Sequence, residues 1–228
     1  LDPLFKIESQ REGPLLPAKI VRIIKKRLRF VREGVERVEK AAALRYPPYY
    51  IEPILPVASS PLEIGQLGAM FARTLPLQVL GRLEIWVQLS APLVLFGARP
   101  TIHAVLAHEF LHYVELARRV KSMDILSEAA SSSIFESGYR DNEALIDAKL
   151  IFKERSLINL MRKRFGAGLI DNNLTNKTAR MWVEKGLPTF RITPESNIVK
   201  LPVSSLLSTQ LDPRLRKKLD ELSKRTKK

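Results

Sequence analysis

The chain has 228 residues, with 38 Lys and Arg against 24 Asp and Glu, three His and no Cys. Its length is ample for a hydrophobic core in one domain or two small ones, and 45% apolar with 27% charged residues excludes a wholly disordered chain. The absence of Cys removes disulfides, thiolate metal sites and cysteine nucleophiles together, so any transition metal must be held by His and carboxylates.

The formal charge of +14 favours encounter with anionic partners and is unevenly placed. Residues 15–32 carry seven bases and no acid (Lys19, Arg22, Lys25, Lys26, Arg27, Arg29, Arg32), and residues 213–228 carry eight bases against Asp220 and Glu221. No recognised nucleic-acid motif accompanies them, so the first expectation is of solvated helix faces. High Lys, Arg and Glu content without Cys suggests a heat-adapted source.

Residues 1–16 contain no apolar signal core, and the longest apolar stretch, Leu89 to Ala98, is too short to span a bilayer. The expectation is a cytoplasmic protein with no membrane span. Ile20, Ile24, Leu28, Val31, Val35 and Val38 recur at helical spacing after Pro17, predicting a long amphipathic helix to about Leu44, stopped by Pro47-Pro48. Residues 46–62 read as an irregular Pro- and Tyr-rich connector, and Glu63 to Arg73 as a short helix. Leu83, Ile85, Val87 and Leu89 alternate with polar or aromatic residues, a strand signature; Pro92 to Phe96 reads as a second short strand.

Pro100-Thr101 opens a predicted helix to about Val120. Asp141 reads as the N-cap of another over 142–165, ended by Gly166. Ala179 to Lys185 is expected to be helical, Thr189 to Thr193 and Ile198 to Val203 extended, and Pro213 to Lys224 a basic terminal helix. Three regions follow: 1–80, an N-terminal helical region; 81–170, a catalytic core; and 171–228, a C-terminal segment.

All three His fall between Thr101 and Glu115. His108 and His112 are one helical turn apart, so both imidazoles reach one point, and Glu109 between them completes H-E-x-x-H. The mechanics of that pattern are zinc held by two His and a carboxylate that activates metal-bound water. Zinc needs a third protein ligand, and His103 lies too far round the helix to supply it, reading instead as a core or cap residue. The best carboxylate is Glu143, four residues before Asp147 on the next predicted helix; one of the two can ligate while the other accepts the outer N–H of an imidazole. Glu115 is the runner-up, and Asp124, Glu128 and Glu136 are weaker.

His108-Glu109-Phe-Leu-His112 followed by Asn142-Glu143-x-x-x-Asp147 resembles the gluzincin metallopeptidases, including thermolysin-like enzymes and the small archaeal minigluzincins. The resemblance covers about 83–150. It implies zinc held by His108, His112 and Glu143, Glu109 as general base, and Asp147 orienting a ligating His. It further implies a peptide or protein substrate pairing with a strand in 83–96. No later His exists to stabilise an oxyanion, leaving Tyr139, Arg140 or another Tyr for that role.

The fold class this implies is α+β, mostly helical, a zincin-like core with a small mixed sheet before the H-E-x-x-H helix and a third-ligand helix after it. The corresponding function is a zinc-dependent metalloendopeptidase. In a latent form of it, residues 186–212 would lie across the cleft. A di-iron bundle is disfavoured because it needs a second Glu-x-x-His. The alternative is a basic nucleic-acid-binding or regulatory helical protein, with phosphate contacts from its terminal helices and a structural or degenerate metal site.

Overall fold

The computed structural model describes residues 2–8, 15–58, 68–122, 146–165, 169, 171–192 and 211–226. Helix α1 (Phe5–Glu8) precedes α2 (Ala18–Ala42). The expected apolar spacing holds along α2: Ile24, Leu28, Val31, Gly34 and Val38 are buried, and the helix ends where Ala43 turns left-handed at φ 54°.

Strand β1 (Tyr49–Glu52) follows, then β2 (Leu55–Ala58), β3 (Ala72–Val79) and β4 (Arg82–Ser90). β4 lies between the other two strands of its sheet, parallel to β1 and antiparallel to β3, so the sheet is mixed, in the order β1-β4-β3. Leu80 and Gly81, at φ 49° and 76°, close the β3–β4 hairpin in the primed-turn conformation that matches strand twist. The alternation of residues 83–89 therefore marks a real strand. The connector and the short helix expected around it do not hold as drawn: 49–52 and 55–58 are extended, and 72–79 is strand. Residues 59–67 lie outside the described residues.

Residues Pro92 to Phe96, read as extended, belong instead to helix α3 (Ala91–Phe96). The Ser90 hydroxyl accepts the Leu93 N–H, and Pro92 occupies the first turn, where its missing N–H costs nothing. Helix α4 (Arg99–Ser122) then runs through the middle of the molecule. Every residue from Thr101 to Leu111 is buried, because α2 lies along one side while the β3–β4 hairpin and a later helix pack around it.

The helix expected over 142–165 is described only from residue 146, where it is two helices, α5 (Ala148–Ile151) and α6 (Arg155–Arg164). The break is extended at Phe152, and the Lys153 N–H bonds to the Ala41 carbonyl at the end of α2 instead of continuing a helix. Helix α7 (Asn172–Thr178) continues into a wider turn at 179–183, and β5 (Thr189–Ile192) pairs in parallel with β2. Helix α8 (Pro213–Thr226) ends the described chain. Asp141 and residues 198–203 lie outside the described residues.

One hydrophobic core joins residues from Leu4 to Leu222. The architecture is α+β, with a small mixed sheet ahead of α4 as expected. The zincin-like part of the expected fold class is corrected: among the described residues no third-ligand arrangement is seen. No helix among them is long and apolar enough to cross a membrane.

Candidate functional site

Two features stand out, one buried and one exposed. The buried one is centred on α4. The His108 and His112 Nε2 atoms lie 3.1 Å apart and their rings meet edge to face, as the four-residue spacing requires. His108 also stacks flat on Phe165, with ring centroids 3.9 Å apart and planes 4° from parallel. On the other flank, the Thr74 hydroxyl of β3 donates to Glu109 Oε2 at 2.8 Å and lies 3.1 Å from the Glu109 backbone oxygen.

Tyr46, in the segment between α2 and β1, closes this region. Its ring packs against Phe110 and its hydroxyl donates to the Leu106 carbonyl at 2.9 Å. Burial, followed by the Glu109 charge, pushes the Tyr46 phenol well above its ordinary pKa, so it stays a donor at all ordinary pH. Sequence reasoning missed Thr74, Tyr46 and Phe165. The residues around Thr74 had read as the end of a helix, and no local pattern ties Tyr46 or Phe165 to the His pair.

Among the described residues, no further predicted ligand joins the pair. Glu143 lies outside the described residues, as do Tyr139, Arg140, Asp124, Glu128 and Glu136. Asp147 is exposed and caps α5, its Oδ1 accepting the Lys149 N–H at 3.0 Å. Glu115 is held by Arg118 and Arg119, at 2.7 and 3.1 Å. His103 points to α2 rather than to the pair. Of the proposed cleft-covering segment 186–212, residues 189–192 form β5 against β2, and 193–210 lie outside the described residues.

Zinc requires at least three protein donors converging on one point. His108 and His112 supply two, and among the described residues no group of three or more His, Asp or Glu is placed to hold a metal ion.

The exposed feature is the outer face of α2. At about 100° per residue, Lys19, Arg22, Lys26 and Arg29 fall within about 80° of one another, opposite the buried Ile24, Leu28 and Val31. Lys19, Arg22 and Lys26 form no ion pair among the described residues. The Arg29 guanidinium sits 4.8 Å over the Phe30 ring, which leaves its charge exposed. Lys25 pairs with Glu8 at 2.7 Å. Arg27, counted among the solvated bases from sequence, turns inward instead: its guanidinium donates to the carbonyls of Val94, at 2.7 Å, and Gly97, tying α2 to the end of α3.

Comparison with protein-family models, with curated proteins and with solved structures finds no match in any of the three. Together with the lack of a third donor among the described residues, this overturns the gluzincin resemblance and what it implied. The zinc cofactor, the metallopeptidase activity and the enzyme assignment are withdrawn.

Proposed function

We propose that this chain is a basic nucleic-acid-binding protein, with its His pair acting as packing within the central helix. The observation that carries the reading is the acid-free exposed stripe Lys19, Arg22, Lys26 and Arg29 on a helix anchored by its opposite face. Four cations along about 15 Å of rigid helix match the density of phosphates on a nucleic-acid backbone, where binding releases condensed counterions.

An anionic membrane is the obvious competitor. A helix lying on a bilayer inserts its apolar face, and the apolar face of α2 is already committed to the core: Ile24 and Val31 are fully buried. That leaves charge without an insertion surface. α2 also contains no Asn or Gln, so it lacks the amide pairing used to read adenine.

The test is fluorescence anisotropy with a labelled random-sequence duplex across a salt titration. Binding should weaken steeply with salt, and the double variant Lys26→Gln/Arg29→Gln should flatten the slope of log K against log salt by about 2. Equal affinity and slope in wild type and variant would remove α2 as the contact. No binding at low salt would end the reading altogether.

A further inference from the structure

We propose that the chain pairs with a second copy of itself through the outer edge of β3, the two strands running antiparallel about a two-fold axis at Leu75. The proposal is independent of the nucleic-acid reading.

The open edge follows from the hairpin register. The Ser90 N–H bonds to the Phe71 carbonyl at 2.8 Å, and β3 pairs with β4 in one unbroken register from Ala72↔Leu89 to Val79↔Arg82. Bonded pairs recur at every second residue of an antiparallel ladder, so Arg73, Leu75, Leu77 and Val79 direct their backbone groups to β4. The N–H and C=O groups of Ala72, Thr74 and Gln78, and the Pro76 carbonyl, point away from it. Among the described residues no strand lies on that side of β3. On the opposite edge of the sheet, the Ile51 N–H of β1 already bonds to the Pro3 carbonyl at 2.9 Å. A sheet open at one edge forms a closed pair and not a fibre.

The sequence of β3 suits a second copy in one register. With the axis on Leu75, Ala72 lies opposite the partner's Gln78 and exchanges both bonds with it. The Thr74 N–H meets the partner's Pro76 carbonyl. Every outward N–H then has an acceptor, and Pro76, which has no N–H, is needed only as one. An axis on Pro76 would set two carbonyls face to face with no donor. Axes on Thr74 or Leu77 would run Gln78 or Thr74 past the end of the partner strand.

Side chains agree with this register. Even-numbered residues face α4, where the Thr74 hydroxyl meets Glu109, and odd-numbered ones face away. On the odd face Leu75 meets its own copy, with the partner's Leu77 diagonal to it. Each Arg73 lies opposite the partner's Leu77, so no like charges are directly opposed. Leu75 and Leu77 are half-buried in one copy and gain cover from the other. The charge of +14 opposes association, but physiological salt screens it beyond about 8 Å. About six bonds between the strands, at about one per 100–200 Å², correspond to about 600–1,200 Å². That is the weak end of specific interfaces, so the dimer dissociates at micromolar concentrations.

The experiment uses the whole chain without nucleic acid at about 150 mM NaCl. Sedimentation velocity from about 5 to 500 μM should show a monomer–dimer equilibrium. Because the chain has no Cys, Leu75→Cys introduces a single thiol. Cα atoms of a non-bonded pair lie about 4.5 Å apart, within disulfide reach, so mild oxidation by diamide should give covalent dimers. Leu77→Cys, whose two copies stand about 13 Å apart in this register, should stay monomeric under the same oxidation. Gln78→Pro removes an outward N–H and leaves the β4 ladder whole, so it should raise the dimer dissociation constant by about tenfold or more. A chain that stays monomeric throughout overturns the proposal. So does cross-linking as strong at Leu77→Cys as at Leu75→Cys, or a dimer untouched by a natively folded Gln78→Pro. Should Gln78→Pro not fold, the two thiol variants decide alone.

Discussion

His103 shows how a single buried ring can make the anchoring of α2 sensitive to acid. It is 4% exposed, its ring packs against Gly34 of α2, and its bond to the Phe30 carbonyl leaves Nε2 without a hydrogen-bond partner in the interface. A proton on Nε2 would sit in a dry contact with nothing to accept it. Burial, then the Arg37 and Arg99 charges, push its pKa below the ordinary 6.5, while Glu33 and the Phe30 carbonyl pull the other way. The unfolded chain therefore takes up the proton first as pH falls. Stability is fully present above pH 6.5, declines as pH drops below it, and levels off once the folded protein is protonated too. Urea midpoints of wild type minus His103→Gln should be flat from pH 8 to 7 and fall from about 6.5 downward. A difference that stays flat through pH 5 would mean that Nε2 finds a partner when charged.

At the scale of elements, the contact between α2 and α4 depends on a glycine in the middle of a 25-residue helix. Gly ordinarily weakens a helix interior by about 1 kcal/mol relative to Ala, so Gly34→Ala should stabilise on propensity alone. Packing decides otherwise. An added Cβ would lie 2.6 Å from Leu106 Cδ1 and 2.9 Å from His103 Cδ2, both on the opposing helix. Overpacking of this kind costs about 1–3 kcal/mol, so the expected net effect is destabilisation, seen as a lower urea midpoint with an unchanged m-value. A higher midpoint would show that the Leu106 side chain moves aside freely.

The same elements show what sequence patterns reach. α2 was legible because its partners lie on one face, and β4 because every second residue is apolar. α3 was not: Leu-Val-Leu-Phe suits a strand as well as a helix, and Ser90 and Pro92 decide it only as cap and first turn. β1 and β2 were hidden by prolines and by partners far along the chain, at 87–90 and 189–192. In the buried cluster, the convergence of His108 and His112 followed from spacing alone. Thr74 and Phe165 reach it only through tertiary packing, and the motif on α4 carries no information about a third donor. The zinc reading rested on a helix expected over 142–165, whose described part is broken at Phe152–Glu154.

Across the whole molecule, the charge of +14 acts on folding as well as on binding, and salt separates the two. Cations with no acid paired to them among the described residues, such as Lys19, Arg22 and Lys26, repel one another in the folded chain more than in the expanded one. Screening within a Debye length of about 8–10 Å relieves that repulsion. It also weakens exposed ion pairs such as Lys25–Glu8 and Arg99–Glu33, but pairs this open to solvent contribute little. With 38 bases against 24 acids the repulsive part is the larger, so the melting temperature should rise by about 2–4 °C between 10 and 150 mM NaCl, corresponding to about 1 kcal/mol. Nucleic-acid binding should weaken over the same interval. Lys26→Gln should raise the melting temperature at 10 mM salt and leave it unchanged at 0.5 M, a comparison made directly by differential scanning fluorimetry. A melting temperature that falls with added salt would mean that the ion pairs outweigh the excess charge, and the basic face would then be a neutralised surface instead of a site waiting for an anion.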